Sequence, residues 1–241
     1  MKHVRAIFAG ILFCSCSLQA QEVEGLTLPF KDLELGAPVQ DVVRVVHVSE
    51  GDSVKAGQLL VELDDRKEAL EIERALNVLD KRKFDSEAAT KLFENAVITR
   101  EEALGKQIDL ELAKAELALA ECRQQEKKIT APVDGIIVEL IRDVGEPVDR
   151  AGTILRMVNI DQLLVQVLVP PAVASILVKG IVVPIKIVGV DAPVPATLIF
   201  VTPHADSSSG LFLVKLQIEN PGHLIKAGIR VVANFGAIAG G

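Results

Sequence analysis

The sequence predicts a mostly β protein that carries a long α-helical hairpin and ends in a small β-barrel. Three observations support this fold class. Two β-rich stretches, residues 37–63 and 131–157, resemble each other. Residues 65–128 between them contain no proline and have the apolar spacing of helices. After residue 157, short apolar runs are separated by Pro, Gly, Asn and Ser, which is typical of barrel strands.

The composition limits both the core and the partners of this chain. Its 241 residues suffice for one or two domains. Apolar residues make up 49% of the chain but aromatic residues only 3%, so we expect a core of Val, Ile, Leu and Ala, which suits β-sheet. The net charge of −7 and the scarcity of aromatic side chains argue against a nucleic-acid partner.

The N-terminus has the features of a secretory signal peptide covering residues 1–20. Lys2 and Arg5 supply a basic start, a short apolar run follows, and Ala20 ends an acceptable cleavage site. The apolar run is too short to cross a bilayer. The sequence therefore predicts export, with an uncleaved N-terminal anchor as an alternative.

Lipoprotein processing at Cys16 is a third interpretation of the N-terminus, although Phe13 stands where such sites usually have leucine. Export implies an oxidising compartment. Cleavage removes Cys14 and Cys16, so only Cys122 remains and an internal disulfide is excluded.

The two β-rich stretches form an internal repeat. The tripeptide Ala-Pro-Val at Ala37 recurs at Ala131, 94 positions later. Towards the end of the repeat, the best sequence match slips by one residue and pairs Gly57 with Gly152. The glycines that we expect to supply positive φ angles in tight turns are Gly51, Gly57, Gly145 and Gly152.

The inserted segment predicts two helices. Asp64 or Asp65 is a candidate N-cap for the first helix. Thr99 followed by Glu102 forms a capping box, so the second helix begins there. At 1.5 Å per residue, helices of about 28 residues are roughly 42 Å long, so the hairpin must project beyond its base.

One apolar stripe on each helix is expected to be buried against the other helix. The expected stripe of the first helix consists of Ala69, Ile72, Leu76, Leu79, Ala89, Leu92 and Phe93. That of the second consists of Leu104, Ile108, Leu112, Ala115, Leu119 and Cys122, with Cys122 as a small buried residue. The remaining charged surface is either a solvated face or a lateral face for neighbouring copies.

Further strands are predicted on both sides of the repeat. Residues 22–36 read as a strand that joins a sheet. Leu163 to Val190 is apolar enough to suggest a membrane span, but its prolines, among them Pro170 and Pro184, favour strands. The five expected strands are VNIDQLLVQVLVP, KGIVVPIKIVGV, PATLIFVTP, LFLVKLQIEN and IRVVANF.

The repeat resembles the two half-motifs of the biotinyl and lipoyl carrier fold. A carrier bears a modified lysine on the tight hairpin that joins its halves. Here the helical insertion occupies that joint, so the resemblance implies a lipoyl-like (barrel-sandwich hybrid) fold without a carrier role and without a cofactor.

A lipoyl-like module split by a helical hairpin and followed by a barrel resembles the HlyD-type membrane fusion proteins. These are the periplasmic adaptor subunits of tripartite efflux pumps, including those that serve RND transporters. The stretches that carry the resemblance are EGDSVKAGQLLVELD, ITAPVDGIIVEL with VGEPV, and DSSSGLFLVKLQIENPGHLIKAGIRVVANF. The implied domains are a signal peptide at 1–20, a split lipoyl-like domain at 21–64 and 129–157, a hairpin at 65–128 and a barrel with a C-terminal tail at 158–241.

The resemblance also implies partners. An adaptor of this family bridges an inner-membrane transporter, of RND or ABC type, to an outer-membrane channel, and it assembles as a homo-oligomer of six copies in the periplasm. The tip of the hairpin meets the channel through a motif that Leu92 and Thr99 match, with threonine in place of the motif's serine, whereas Ala88 stands where the motif has arginine.

The sequence offers little for catalysis. His47, His204 and His223 lack the spacing of metal ligands. Ser207–Ser209 with His204 and Asp206 read as a loop, not as a catalytic triad. We therefore expect a non-enzymatic adaptor without a metal. Two alternatives remain open: a stand-alone periplasmic module that binds a small ligand, and an enzyme subunit with a covalent cofactor.

Overall fold

The structure is a computed structural model that describes residues 22–190 and 192–236. The predicted signal peptide, Cys16 and the signal cleavage site lie outside the described residues. The chain divides into two compact units. One unit contains residues 29–161, and the other contains residues up to 28 together with those from 162 onward.

The described chain is mostly β, as the sequence predicts, with two long helices between its fourth and fifth strands. The strands are β1 (Glu22–Gly36), β2 (Asp41–Val46), β3 (Ser53–Val54), β4 (Leu59–Leu63), β5 (Lys128–Thr130), β6 (Gly135–Leu140), β7 (Pro147–Val148), β8 (Thr153–Val169), β9 (Val182–Ile187), β10 (Val194–Val201), β11 (Phe212–Glu219) and β12 (Arg230–Asn234). The helices are α1 (Arg66–Glu94), α2 (Arg100–Gln125) and α3 (Pro171–Ala174), with a 3-10 turn at Pro221–His223.

The two halves of the repeat pair with each other in the unit of residues 29–161. Strand β2 of the first half lies beside β7 of the second, with Asp41 opposite Val148. Strand β3 of the first half lies beside β6 of the second, with Val54 opposite Gly135. At the offset of 94, β2 corresponds to β6 and β3 corresponds to β7. The pair β2–β7 is therefore equivalent to the pair β6–β3. The halves are therefore related by a local two-fold arrangement, and each supplies strands that pair with the other.

The repeat continues at the same offset to its end, so the predicted slip of one residue is wrong. The positive φ of Gly57, +82°, recurs at Ala151, +62°, and not at Gly152. The burial pattern of β4 recurs in the first five residues of β8. The sequence match slipped because it aligned glycine with glycine, whereas the backbone requires the left-handed conformation one position earlier. The matching core residues are Leu60, Val61 and Leu63 in β4 and Ile154, Leu155 and Met157 in β8.

One position breaks the repeat for a steric reason. Asp41 in the first half corresponds to Gly135 in the second. A Cβ atom at Gly135 would lie 2.6 Å from the carbonyl oxygen of Val158 and 2.8 Å from the Cε of Met157. The second half therefore has no room for a side chain there, whereas Asp41 has space for a carboxylate.

In the other unit, the strands pair in a closed circle. The order is β1, β12, β9, β10, β11 and β8, and β1 also pairs with β8. All five strands predicted after residue 157 are present as β8 to β12, and the predicted lead-in strand is β1, which pairs with β12 from Glu22 to Leu26. The region from Leu163 to Val190 forms strands and a short helix, as expected from its prolines.

Candidate functional site: the helix pair and its ends

The helices α1 and α2 are joined by the five residues 95–99 and lie against each other. Arg123 near the end of α2 donates a hydrogen bond of 3.0 Å to Glu71 near the start of α1. Further along, Arg82 lies 3.5 Å from Asp109. These two pairs fix an antiparallel arrangement. The 29 residues of α1 are roughly 44 Å long at 1.5 Å per residue. Over the chain from 22 to 190 and from 192 to 236, no helix is both long and apolar enough for a membrane crossing.

Small side chains form the contact between the two helices. They allow the helix backbones to approach closely, and larger neighbours such as Ile72 and Leu79 are half-buried beside them. Ile72, Leu79 and Ala89 confirm part of the predicted stripe of α1, whereas Ala69, Leu76, Leu92 and Phe93 are exposed. The fully buried residues of the contact are Ala75, Ser86 and Ala89 in α1 and Ala113 and Ala120 in α2.

The predicted buried stripe of α2 is wrong. Its four large aliphatic side chains retain between 52% and 59% of their accessible surface. With about 100° of rotation per residue, this stripe lies on the face nearly opposite Ala113 and Ala120. The size and spacing of the apolar side chains of α2 predict the wrong face, because the two helices pack through alanines. We call this surface the outer stripe: Leu104, Ile108, Leu112, Ala115, Leu119 and Cys122.

Cys122 is exposed on the outer stripe, so its prediction as a buried residue is also wrong. It is the free cysteine of the described chain. Both predictions fail for the same reason. Cys122 lies three residues after Leu119 and therefore shares its exposed face of α2.

The predicted tip residues lie at the two sides of the loop that joins the helices. Leu92 belongs to the last turn of α1 and is 42% exposed. The helix ends at Asn95, whose Nδ2 donates to the carbonyl oxygen of Lys91 at 2.8 Å. Ala96 then adopts a positive φ of 57°, which turns the chain towards α2. The tip therefore presents apolar side chains to solvent, including Val97 at 66% exposure.

Thr99 is the N-cap of α2, as the sequence predicts. Its Oγ accepts a hydrogen bond from the backbone N–H of Glu102 at 3.2 Å, and the Glu102 carboxylate accepts from the backbone N–H of Thr99 at 2.9 Å. These bonds complete the capping box. The backbone hydrogen bond from Thr99 lowers the pKa of Glu102. Thr99 thus stabilises the start of α2.

At the other end of the pair, a cluster of charges joins both helices to the β-sandwich. Lys127 follows α2, and its Nζ bonds to Asp41 of β2 and lies 3.0 Å from Glu68 in the first turn of α1. The Lys127 side chain is only 9% exposed. Burial alone lowers the pKa of Lys127, but the hydrogen bonds to Asp41 and Glu68 outweigh burial and raise it. We call Lys127, Asp41 and Glu68 the base cluster.

Sequence reasoning missed the base cluster. The available signal was Asp41, which breaks the repeat at a position where the other half has Gly135. The predicted N-cap Asp65 precedes α1, but its side chain makes no capping hydrogen bond. Instead, its carboxylate accepts from Gln124 of α2 at 3.0 Å and lies 3.0 Å from Arg44 of β2. Asp65 therefore helps to fix both helices at their base.

Asp206 and His47, two of the candidate catalytic or metal-binding residues, make local structural contacts. Asp206 accepts hydrogen bonds from the hydroxyl and backbone N–H groups of Ser208 and Ser209, and the bond from Ser208 Oγ is the main reason why the pKa of Asp206 falls to about 2. This is the loop that the sequence predicts. His47 Nε2 lies 3.1 Å from Glu62. Within residues 22–190 and 192–236, no group of three or more His, Cys, Asp or Glu side chains could hold a metal ion.

Comparison with known proteins agrees with this architecture. The model of a protein family described as "RND MFP, barrel-sandwich hybrid domain" matches residues 31–161. No curated protein matches the sequence. The matched residues 31–161 contain both halves of the repeat and both long helices.

Solved structures share the fold at low sequence identity. A MacA–MexA chimeric protein with the α-hairpin domain of Pseudomonas aeruginosa MexA is 19% identical, with a TM-score of 0.79 over 89% of this chain and 77% of the other. The membrane fusion protein Spr0693 from Streptococcus pneumoniae is 17% identical, with a TM-score of 0.71 over 89% and 98%. MacA from Actinobacillus actinomycetemcomitans is 18% identical, with a TM-score of 0.69 over 89% and 79%.

Proposed function

Because the chain belongs to the RND membrane fusion protein family, we propose that it is a non-enzymatic periplasmic adaptor of a tripartite efflux pump. In this role it bridges an inner-membrane transporter, of RND or ABC type, to an outer-membrane channel. The energy for transport comes from the transporter. The adaptor contributes geometry, since it holds two membrane proteins at a fixed separation.

One observation carries this proposal. The helix pair leaves the sandwich at Asp65 and returns at Lys127, and the strands on both sides still pair across the repeat. The two inserted helices contribute no residue to the hydrophobic core of the sandwich. They expose apolar residues at the tip and along α2. Surfaces of this kind indicate contact with other proteins.

We assign a separate task to each part of the chain. The signal peptide at 1–20 exports the protein, with lipid attachment at Cys16 as a second route to the membrane. The split lipoyl-like domain at 21–64 and 129–157 and the barrel at 158–241 form the base of a ring of six copies. The hairpin at 65–128 reaches the outer-membrane channel.

The tip is the proposed contact with the channel. Leu92 supplies exposed apolar surface there, and Thr99 fixes the direction in which α2 leaves the loop. Since the hydroxyl of Thr99 is used by the capping box, its contribution to docking is to position the loop. Leu92 and the adjacent Val97 are the residues that we expect to touch the channel.

Photo-crosslinking in intact cells tests this function. A photoreactive amino acid replaces Val97 at the tip in one variant and Val188 after β9 in another, two positions of similar exposure. The adaptor role predicts an adduct between position 97 and an outer-membrane channel and a different adduct pattern from position 188. Mass spectrometry of the adducts identifies the partners.

The same experiment separates the alternatives. A stand-alone ligand-binding module yields no adduct from position 97 above that of a wild-type control lacking the photoreactive residue. A separate measurement of the intact mature protein tests the enzyme subunit, which shows the mass increment of a lipoyl or biotinyl group and not that of a lipid on Cys16. Either result would contradict the adaptor role.

A further inference from the structure

One end of the barrel carries an exposed apolar loop. Residues 170–181 connect β8 to β9 and include the short helix α3. Ile176 and Val178 in this segment and Val182 at the start of β9 are between 47% and 65% exposed. The only charged residue between the two strands is Lys179. We call Ile176, Val178, Lys179 and Val182 the apolar loop.

The backbone of the apolar loop is fixed to the barrel. The N–H of Gly180 donates to the carbonyl oxygen of Leu198 in β10 at 2.8 Å, and the N–H of Leu198 donates to Ile181 at 2.8 Å. A turn within the loop is closed by the bond from the N–H of Ile181 to the carbonyl oxygen of Val178 at 3.2 Å. On the other side, Val173 of α3 is buried. The exposed aliphatic side chains therefore belong to an ordered surface.

Strand β1 begins at the same end of the barrel. Its first residue, Glu22, lies opposite Asn234, the last residue of β12. Because β12 is antiparallel to β9, the end of β12 lies beside the start of β9. The carboxylate of Glu22 accordingly lies 3.9 Å from the Nζ of Lys186 in β9. The chain thus enters the barrel beside the apolar loop.

The N-terminal segment limits the distance between this end of the barrel and a membrane. Glu22 follows Cys16 by six residues, which span at most about 22 Å of extended chain. It follows Phe13, the end of the apolar run of an uncleaved anchor, by nine residues, or at most about 32 Å. Both membrane-attached forms of the N-terminus therefore keep the apolar loop close to the bilayer.

The composition of the apolar loop favours lipid over protein as its partner. Protein–protein hot spots are enriched in Trp, Tyr and Arg, whereas valine is under-represented. Aliphatic side chains beside a lysine suit a lipid surface, because they enter the acyl boundary while the ammonium group stays among anionic headgroups. In the neighbouring loop 202–211, Asp206 is occupied by hydrogen bonds from Ser208 and Ser209.

We propose that the apolar loop is a lipid-binding site with which this protein rests on the surface of the inner membrane. Ile176, Val178 and Val182 enter the boundary between headgroups and acyl chains, and Lys179 contacts the anionic phosphates. The occupant of the site is the bilayer and not the transporter. The inference rests on the proposed function, since it names the membrane contact of the adaptor.

The absence of Trp and Tyr from the sequence provides a direct test. Val178→Trp places a single tryptophan in the apolar loop, and Val188→Trp places it beyond the other end of β9. The two valines are 65% and 69% exposed, so both variants are expected to fold. The mature chain, residues 21–241, carries an N-terminal His tag that tethers it to vesicles. These contain phosphatidylethanolamine, phosphatidylglycerol, a nickel-chelating lipid and a brominated phospholipid that quenches tryptophan.

The two positions should respond differently although both variants are tethered alike. We expect a blue shift and quenching of the emission in Val178→Trp and neither in Val188→Trp. Adding Ile176→Glu to Val178→Trp should lower the ratio of membrane-bound to free loop about tenfold or more, because one buried aliphatic side chain is lost. Adding Val188→Glu should leave the quenching unchanged. Absence of quenching at position 178, or equal quenching at both positions, would overturn the proposal.

Photo-crosslinking in intact cells identifies the occupant. A photoreactive amino acid at position 178 of the full-length protein should yield an adduct with the mass increment of a phospholipid. An adduct with a transporter in place of the phospholipid would overturn the proposal and assign the apolar loop to a protein partner. Loss of the lipid adduct with an intact channel adduct at position 97 refutes the lipid site but not the adaptor role, and a lipid adduct without the channel adduct does the reverse.

Discussion

The Nζ of Lys127 lies 3.0 Å from the carboxylate of Glu68, so the second residue after α2 is bonded to the first turn of α1. Asp41 of β2 holds the same ammonium group. Three elements that are far apart in sequence thereby share one buried cation. We expect this cluster, together with the contacts of Asp65 to Arg44 and Gln124, to fix the direction in which the helix pair leaves the sandwich.

Removal of this cation leaves the carboxylates of Asp41 and Glu68 without their shared counter-ion. We predict that Lys127→Met lowers the free energy of unfolding by about 3–5 kcal/mol, the usual result of breaking a buried ion pair on one side. The control Lys55→Met breaks an exposed pair with Asp134, with side chains 82% and 45% exposed, and should lower the free energy of unfolding far less, because water screens this pair. Urea unfolding of both variants measures the difference. Equal losses would show that the base cluster has no special role.

Asp64 predicts a specific dependence of stability on pH. Its hydrogen bond to the side chain of Arg66 lowers the pKa of Asp64 to about 2. Since the pKa is lower in the folded protein, this contribution is present above about pH 4 and disappears as the pH falls towards 2. We therefore expect Asp64→Asn to be less stable than the wild type at pH 7, and the gap to close between pH 4 and pH 2. Urea midpoints measured across this range would contradict the assignment if the gap widened on acidification.

The cap of α2 can be tested without changing the fold elsewhere. Thr99→Ala removes the side-chain acceptor of the capping box and is expected to cost about 1 kcal/mol of stability. Thr99→Ser keeps the hydroxyl and should stay close to the wild type. Thermal unfolding followed by circular dichroism measures both variants. If the serine variant loses as much as the alanine variant, the methyl group and not the cap carries the effect.

Replacement by alanine is expected to change the free energy of unfolding in opposite directions at Gly135 and Gly105. Gly135→Ala forces a Cβ to within 2.6 Å of a backbone oxygen in the sandwich, and we expect a loss of about 1–3 kcal/mol from overpacking. Gly105→Ala lies in α2, where the new Cβ has no atom within 4 Å apart from the backbone of its own helix and its chain neighbours, and it should gain up to about 1 kcal/mol from helix propensity. Urea unfolding measures the change in the free energy of unfolding of each variant. A loss of stability in Gly105→Ala would contradict the open surface at that position.

Much of the fold could be predicted because local signals agreed with one another. Pro and Gly separated the strands, Thr99 and Glu102 marked the start of α2, and the repeat linked the two halves of the sandwich. The constant offset of the repeat could not be found from sequence beyond Gly57, since Ala151 adopts the left-handed conformation that a sequence match assigns to the neighbouring Gly152.

The seam of α2 was mispredicted for a different physical reason. Large apolar residues at helical spacing usually mark the buried face, but here Ala113 and Ala120 pack against α1 while Leu112 and Leu119 stay outside. Side-chain size and spacing therefore do not by themselves identify the face of α2 that meets α1. The base cluster was also hidden, because it depends on three residues brought together only by the closed repeat.

The most direct test of the adaptor account changes only the reach of the helix pair. Deletion of residues 76–82 from α1 and 109–115 from α2 removes one heptad from each helix, keeps the helices in register and shortens the pair by roughly 10 Å. Efflux by the pump that contains this protein is then measured in cells as accumulation of a fluorescent substrate. The account predicts a folded protein at normal levels, with accumulation equal to that of cells lacking the gene. Accumulation as low as in wild-type cells would contradict the claim that the helix pair acts as a spacer between two other proteins.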